Sequence, residues 1–572
     1  MPEKLTIAII GCGLSGTSLL CQLVSRLDQN DFLGNLSPDA IRLIVFEKGS
    51  LMGPGMPHNA EFVHSYHITN MCAEHMSIFH DRPGDLQNWM EQNIRDLNQR
   101  YPELFTEPVD QSQHSEVCNH YPRELVGAYL MDRFNSHLEL GTELGMLIDL
   151  HAHTEVIDLR VKKNHVSLQA VDLKNGEPWK CEVDRAVIST GHWFRESKKK
   201  GYFSSPWPAS RLIHEIPAGS RVAIIGTSLS AIETALTLTA DGCFVRENDQ
   251  TLVYQKSQNP CNATLFSRNG LLPTVRGQIG SYQNQILTPE KITELLIQKP
   301  GQLSLDYLFA LFDAELRHAY GQAFDWQAQL DATVLPSERL ARSIATAKNG
   351  DGPDGGVIWQ TVLHQVLPFV RDLYLSLSIA ERKRFEKRYR TPFFVLAAPQ
   401  PIINAQKLLA LIQAGSVNIC RLAYGHRWDP DHQPQSYTFD HIDSQGTVHR
   451  ESFPYVVDAR GQQISWNDNP SRLARNLRRS GIAQTTEIRV TCPDSASGKD
   501  GTNSAETYDV GSVWIDPETH GLMQIDSSGA HAPSERIFAV GAMTRGQIID
   551  ASMAQSLAES ANRIVSQLYR LS

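Results

Sequence analysis

At 572 residues the chain exceeds what one hydrophobic core organises, so two or three domains are expected. A formal net charge of -10 excludes a nucleic-acid partner held by phosphate contacts, and Lys198-Lys199-Lys200 and Arg382-Lys383-Arg384 read as solvated faces. No apolar run approaches ~18 residues and no signal-peptide profile opens the chain, so a membrane span is not expected; nine cysteines without a C-x-x-C pair point to reduced thiols in the cytoplasm, without a disulfide framework or zinc ribbon.

Leu5-Thr6-Ile7-Ala8-Ile9-Ile10 predicts a buried strand, and Thr17 to Val24 carries leucines at helical spacing. Between them lies Gly11-Cys12-Gly13-Leu14-Ser15-Gly16, a G-x-G-x-x-G at a strand-to-helix turn. There Gly11 allows the tight turn, Gly13 lets the backbone approach a pyrophosphate, and Gly16 lets helix and strand pack closely. The free N–H groups of the helix start, at Leu14 and Ser15, face the anion. Ile41 to Lys48 reads as the next parallel strand, with Glu47 placed for ribose hydroxyls and Lys48 beside it. The gap from glycines to acid is longer than the usual ~20 residues, which an inserted loop from Asp28 to Ala40 explains.

Gly49 to Met56, including Gly55, has enough glycine to pass close to a flat ligand. The tract that follows holds His58, His64, His67, His75 and His80 around Thr69-Asn70-Met71. It fits either a metal site, with His64 and His67 at i, i+3, or a segment along a cofactor ring and polar pocket; the ligand spacing favours the second. Asp85 to Asn93 predicts a packed surface helix, and residues 94 to 120 a polar surface excursion. Tyr121-Pro122-Arg123 restarts a helix, and Arg123 serves either as a phosphate or carboxylate clamp or as a partner of Glu124 or a neighbouring acid.

Residues 153–159 and 166–171 alternate as an antiparallel hairpin, in which Val156 is assigned to cofactor contact. Asp184 to His192 is a buried strand ending in Ser189-Thr190-Gly191, where the chain can cross beside a cofactor. Residues 220–233 repeat the opening pattern, with Gly226, Ser228 and Ser230 in the turn and serines replacing the later glycines. Two such folds imply two nucleotides. The strand ending in Ser267-Arg268 carries a base where an NAD-preferring domain places an acid, so Arg268 is positioned for a ribose 2'-phosphate, unless it caps a helix or pairs with an acid.

From 281 to 411 the pattern is helical, at 292–297, 303–318, 362–376 and 380–388, and reads as an insertion walling the active site. Strands return at 417–422, 436–439 and 454–461, and residues 493 to 508 form a low-complexity loop. The chain closes on a strand reaching Gly541, then Thr544-Arg545-Gly546-Gln547 and a helix from Ala551 to Leu568. The expected fold is α/β, with two Rossmann-like dinucleotide-binding domains plus a largely helical insertion. Its segments are 1–215 and 466–572 for FAD, 216–280 and 412–465 for NADPH, and 281–411 for the insertion.

Taken together, Gly11-x-Gly13-x-x-Gly16, Gly53-Pro54-Gly55, Asn70-Met71 with Met76-Ser77, Pro122-Arg123, Ser267-Arg268-x-Gly270-x-x-Pro273 and Gly541-x-x-Thr544-Arg545-Gly546 resemble the bacterial FAD/NAD(P)-binding family of two-dinucleotide flavoproteins. More distantly they are similar to class B flavin monooxygenases and amino-acid N-hydroxylases. The resemblance implies FAD on the first fold, NADPH on the second, and oxygen transfer through a C4a-hydroperoxyflavin to an amino acid or small amine. Arg123, Arg276 and Arg545 follow turns near the expected site and are candidate carboxylate clamps, Asn70 touches either the flavin or the intermediate, and the close at Gly541, Gly546 and Gln547 brings amides back to the flavin. Residues 191 to 208 lack the full F-x-G-x-x-x-H fingerprint, and Gly541-Ala542 stands where Gly-Asp is familiar. An NAD(P)H-dependent flavin reductase and a non-catalytic redox sensor therefore stay as alternatives. Partners are a small-molecule substrate and molecular oxygen, and oligomeric state is left open.

Overall fold

The computed structural model describes residues 5–29, 37–102, 120–247, 251–298, 302–427, 436–443, 445–461, 465–490, 506–525 and 529–568. Most of the inserted loop before β2, the second half of the polar excursion, and most of the low-complexity loop lie outside the described residues.

The chain opens with β1 (Leu5–Ile10), α1 (Leu14–Asp28) and β2 (Ile41–Phe46), followed by α2 (Asp85–Arg100), α3 (Arg123–Glu143) and β3 (Leu147–His151). An antiparallel layer of β4 (Thr154–Val161), β5 (Val166–Asp172) and β6 (Pro178–Val183) precedes β7 (Arg185–Ile188). Then come β8 (Tyr202–Phe203), α4 (Ala209–Glu215), β9 (Arg221–Ile225), α5 (Leu229–Leu238), β10 (Cys243–Arg246), β11 (Leu252–Gln255) and β12 (Asn262–Ser267). A helical region follows: α6 (Pro289–Gln298), α7 (Leu305–Tyr320), α8 (Trp326–Leu330), α9 (Pro336–Asn349), α10 (Ile358–Val366), α11 (Val370–Leu375), α12 (Ile379–Arg384), α13 (Arg390–Ala397) and α14 (Ile402–Gln413). The chain ends through β13 (Val417–Arg427), β14 (Tyr437–Ile442), β15 (Val448–Phe453), β16 (Tyr455–Asp458), α15 (Arg472–Arg479), β17 (Thr485–Val490), β18 (Glu506–Val513), β19 (Gly521–Ile525), β20 (His531–Ala539) and α16 (Ala554–Leu568).

The first sheet has the order β19-β20-β7-β1-β2-β3, parallel from β20 to β3, so those strands open their carboxyl ends on one edge. Ile7 and Ile9 of β1 enter one core, with α1, α3 and α16, while Ala8 and Ile10 enter another on the opposite face. Burial on both faces is why the strand is a continuous apolar run rather than an alternating one. Because β1 lies between β2 and β7, the chain leaves it in opposite directions, which opens a crevice at its end.

The second sheet runs β15-β14-β13-β12-β9-β16-β8, parallel from β13 to β8. Neighbouring strands β12 and β13 pair from Ala263↔Val417, and the helical region is the crossover between them. It packs cores of its own, one of which takes in Ile549 from the C-terminal segment, so the insertion touches the first unit as well as the second.

Local departures have local causes. α2 continues to Arg100 because Leu97 is buried and its carbonyl holds Tyr101 N, so the polar surface of 94–100 belongs to a helix. The expected helix over 362–376 breaks at Pro368 into α10, a tight turn and α11, since proline cannot continue the hydrogen-bond ladder. β18 begins at Glu506, inside the stretch expected to be structureless, by pairing with β17. α16 starts at Ala554 rather than Ala551, after a turn closed by Met553 N donating to Asp550 O. The expectation of reduced thiols throughout fails at Cys72, which is disulfide-bonded. The absence of a C-x-x-C pair does not exclude a bridge at other spacings. Cys12, Cys21, Cys181, Cys243, Cys261 and Cys420 are free.

Candidate active site at the carboxyl edges of the two sheets

Two turns define the first cradle. Gly11 has φ +97, and a Cβ there would lie 2.6 Å from Ser189 O, so β1 and β7 approach as only glycine permits. Gly13 and Gly55 face each other backbone to backbone: a Cβ on Gly55 would lie 2.8 Å from Gly13 Cα. Gly13 caps α1 without a side-chain hydrogen bond, leaving the first amides of the helix, at Leu14 and Ser15, available to an anion. Ser15 and Gly541 are adjacent, with Ser15 Oγ 3.4 Å from a Cβ built on Gly541. Gly191 has φ +68 and open space around it, and Thr190 is exposed, so this edge is accessible. These features fit a dinucleotide diphosphate.

Glu47 stands at the end of β2, its carboxylate accepting from Cys12 N (2.8 Å) and Gly49 N (2.7 Å), which fixes it against the glycine turn. Lys48 is exposed and reaches Glu155 (3.5 Å), which Arg472 also holds; Val156, next in β4, is buried in the core. Gln547 is committed structurally: Oε1 accepts from Thr486 Oγ1 and Ile515 N, both at 2.9 Å, and Nε2 donates to Ile515 O at 3.0 Å. Its backbone N–H donates to Thr544 O at 3.1 Å, so the residue holds the turn together. Gly546 O accepts from Tyr374 Oη at 3.3 Å, so α11 of the insertion sits over this turn.

The second cradle repeats the first at the end of β9. Gly226 has φ +124 and lies against Ala459 of the next strand, and Ser228 caps α5 without a side-chain hydrogen bond. Ser230 O accepts from Thr234 Oγ1 within that helix. Thr227 Oγ1 lies 3.0 Å from Ser267 Oγ and 2.6 Å from Leu271 O, and Ser267 Oγ accepts from Gly270 N at 3.0 Å. Ser267 thus shapes the turn, while Arg268 is exposed, its guanidinium 3.5 Å from Thr391 Oγ1.

The three arginines proposed as clamps have different surroundings. Arg123, first residue of α3, donates Nε to Glu233 Oε1 of α5 at 2.8 Å, and Glu233 is buried. It ties the first unit to the second through an acid other than Glu124. Arg545 has Arg390 and Glu386 of the insertion as charged neighbours, and burial lowers its guanidinium to about 10. Arg276 has no carboxylate paired to it among the described residues, and its Nε is buried without a hydrogen-bond partner. Burial lowers it to about 10.

Around Arg276 gather three histidines from separate segments. His75 lies in the loop after β2, His120 precedes α3, and His364 is on α10; the rings of His75 and His364 are 4.8 Å apart. His120 Nδ1 is 2.9 Å from Thr69 O, next to Asn70, and its Nε2 is buried without a partner. Burial lowers His120 and His364 to about 4 and His75 in the same direction; the Arg276 charge adds to each, after His75 in the case of His364 and against Glu74 in the case of His75. The result is a cation lined by neutral, hydrogen-bonding rings where the two sheets' loops and the insertion meet. The tract's histidines signalled a polar pocket; His120 and His364 carried no recognisable pattern.

His64 and His67 do not make a metal pair. His67 Nδ1 accepts from His64 N at 2.9 Å and Nε2 is 3.1 Å from Thr237 Oγ1, whose own proton goes to Glu233 O. That network requires a neutral ring carrying its proton on Nε2. Among the described residues no cluster of three His, Cys, Asp or Glu could hold a metal, and no helix is long and apolar enough to cross a membrane.

Buried histidines set an acid limit. Burial, reinforced by nearby arginines, lowers His58 and His520 to about 3 and His67 well below its ordinary value. Each takes a proton near pH 6.5 only when unfolded, so its stabilising contribution is full above 6.5 and is lost as pH falls toward the folded value. His58 and His520 each contribute about 1.4 kcal/mol per pH unit in that window, together roughly 3, and His67 acts in the same direction. Thermal melts should shift steeply downward between pH 6 and 4.5; a flat midpoint would rule this out.

This is an architecture of two dinucleotide-binding-type folds joined by a helical insertion, and residues 8–193 match the family described as FAD-NAD(P)-binding. Over 484 residues the chain is 25% identical to the uncharacterized protein YdhS of Escherichia coli strain K12, covering 80% of this chain and 83% of that one. The ornithine hydroxylase PvdA of Pseudomonas aeruginosa shares the fold across 99% of this chain and 98% of its own, with a TM-score of 0.50 at 12% identity.

Proposed function

We propose that the protein is an FAD-dependent, NADPH-using monooxygenase that hydroxylates the nitrogen of an amino acid or related small amine. The observation that carries the substrate side is Arg276, a buried cation without a carboxylate partner among the described residues, ringed by His75, His120 and His364. The ornithine hydroxylase whose fold it shares supports the same class. FAD, when bound, passes two electrons from NADPH to dioxygen and supplies the oxygen for transfer.

Arg276 would bind the substrate carboxylate through charge-assisted hydrogen bonds. Its positive charge also lowers the pKa of a nearby ammonium, favouring the neutral amine whose lone pair takes the oxygen. The amine becomes a hydroxylamine, the second oxygen atom leaves as water, and NADPH plus one proton balances the electrons. Neutral His75 and His364 offer hydrogen bonds without competing for the carboxylate. Asn70 follows Thr69, whose carbonyl anchors His120.

Anaerobic NADPH should bleach the flavin, and oxygenated buffer with amino acids should then yield a hydroxylated amine. Arg276→Ala should raise KM for that amino acid about 10- to 100-fold while leaving anaerobic bleaching unchanged. Absence of bleaching with either nicotinamide nucleotide would overturn the assignment. Bleaching without oxygenated product from any amine would leave a reductase, and an unchanged KM would remove Arg276 from the substrate.

A further inference from the structure

Beside Arg268 lies a cavity of about 700 Å³, lined by Arg268, Asn269, Lys383, Arg384, Lys387, Arg388, Thr391 and Pro392. Five of these eight residues are cations and none is an acid. Their chain origins differ: Arg268 and Asn269 follow β12 of the second sheet, whereas the others come from α12, the five-residue π turn Phe385–Tyr389 and the start of α13 in the insertion. π turns recur at functional sites, because the extra residue swings side chains off the helical spacing.

The cations are not equally committed. Arg384 is neutralised by Asp306, with contacts of 2.7 and 2.9 Å, and Lys383 is engaged elsewhere. Arg388 lies over the Tyr389 ring, 5.6 Å from its centre, and Arg268 reaches Thr391 Oγ1 at only 3.5 Å. Among the described residues, Arg268, Lys387 and Arg388 make no close ion pair with a carboxylate, although Asp306 also attracts Arg388 through space. Three such charges facing one cavity repel one another, and a multiply charged anion relieves that repulsion.

Position selects the anion. β12 is the neighbour of β9, which ends in the Gly226 turn, and the residue after the second strand of a dinucleotide fold stands at the adenosine ribose. We propose that the insertion completes a 2'-phosphate site: Lys387 and Arg388 close with Arg268 around the ribose 2'-phosphate of NADPH. The insertion, which also supplies His364 to the Arg276 pocket, is then joined to the nucleotide as well as to the substrate. This rests on the reading of the second fold as the NADPH domain.

The test is calorimetric titration of the purified holoprotein with adenosine 2',5'-bisphosphate and, separately, 5'-AMP. The bisphosphate should bind, Lys387→Ala and Arg388→Ala should each weaken it about tenfold or more, and 5'-AMP should be unaffected. Steady-state KM for NADPH should rise in both variants while that for NADH stays level. Equal bisphosphate affinity in wild type and variants would overturn the proposal, as would competition by inorganic phosphate at equal concentration, the mark of a general anion patch. Bisphosphate binding sensitive to Lys387, without flavin reduction by NADPH, would sustain this site and remove the oxidoreductase reading. Flavin reduction by NADH, without bisphosphate binding, would do the reverse.

Discussion

Arg123→Ala is expected to destabilise the protein by about 3–5 kcal/mol, the scale on which removing one partner strands a buried charge. Glu233 is 3% exposed, and its second oxygen, Oε2, is buried without a hydrogen-bond partner. Burial raises the Glu233 carboxyl and Arg123 opposes that rise, so without the guanidinium only burial acts. The folded state of the variant then holds a proton on Glu233 more readily than the unfolded chain does. Its stability deficit should therefore shrink as pH falls toward the carboxylate range. Replacing both residues, as Arg123→Met with Glu233→Leu, should recover most of the loss, because a buried ion pair is often no better than apolar packing. Denaturant unfolding of the single and double variants measures this. A variant that keeps wild-type stability but raises the substrate KM would instead make Arg123 a clamp.

That ion pair also marks how far the sequence alone was legible. The glycine turn could be read because its demand is on the backbone: Gly11, Gly13 and Gly16 leave no room for a Cβ, whatever packs around them. Glu47 was legible for a related reason, since strand and acid follow the turn in order. Arg123 was not, because its partner lies 110 residues away on another sheet's helix. His75 and His364 meet only because the insertion folds back over the first unit, and no spacing records that. The basic run Arg382-Lys383-Arg384 was read as a solvated face; instead Lys383 and Arg384 line a cavity whose other wall is Arg268. Arg382 meanwhile lies over the Tyr374 ring. Charge composition cannot distinguish a face turned to water from one turned to a cleft.

Gly16→Ala is expected to yield protein that purifies without flavin. A Cβ on Gly16 would sit 2.1 Å from Gly11 O and 3.1 Å from Gly11 C, both backbone atoms of the turn that holds the cradle's shape. Relief requires moving α1 away from β1, and that movement displaces the amides of Leu14 and Ser15 from where a diphosphate would meet them. Overpacking of this kind costs roughly 1–3 kcal/mol in stability, and more where backbone must shift. Gly141→Ala is the control. It is also a glycine within a helix, but its Cβ would meet only side-chain atoms, Ile148 Cδ1 at 3.0 Å, Met146 Sδ at 3.3 Å and Val24 Cγ2 at 3.3 Å, and no backbone atom. Flavin absorbance relative to protein should be near zero for the first and near wild type for the second. Full flavin content in Gly16→Ala would mean that the diphosphate does not depend on close packing at this turn. Loss in both would point to general destabilisation of the first unit.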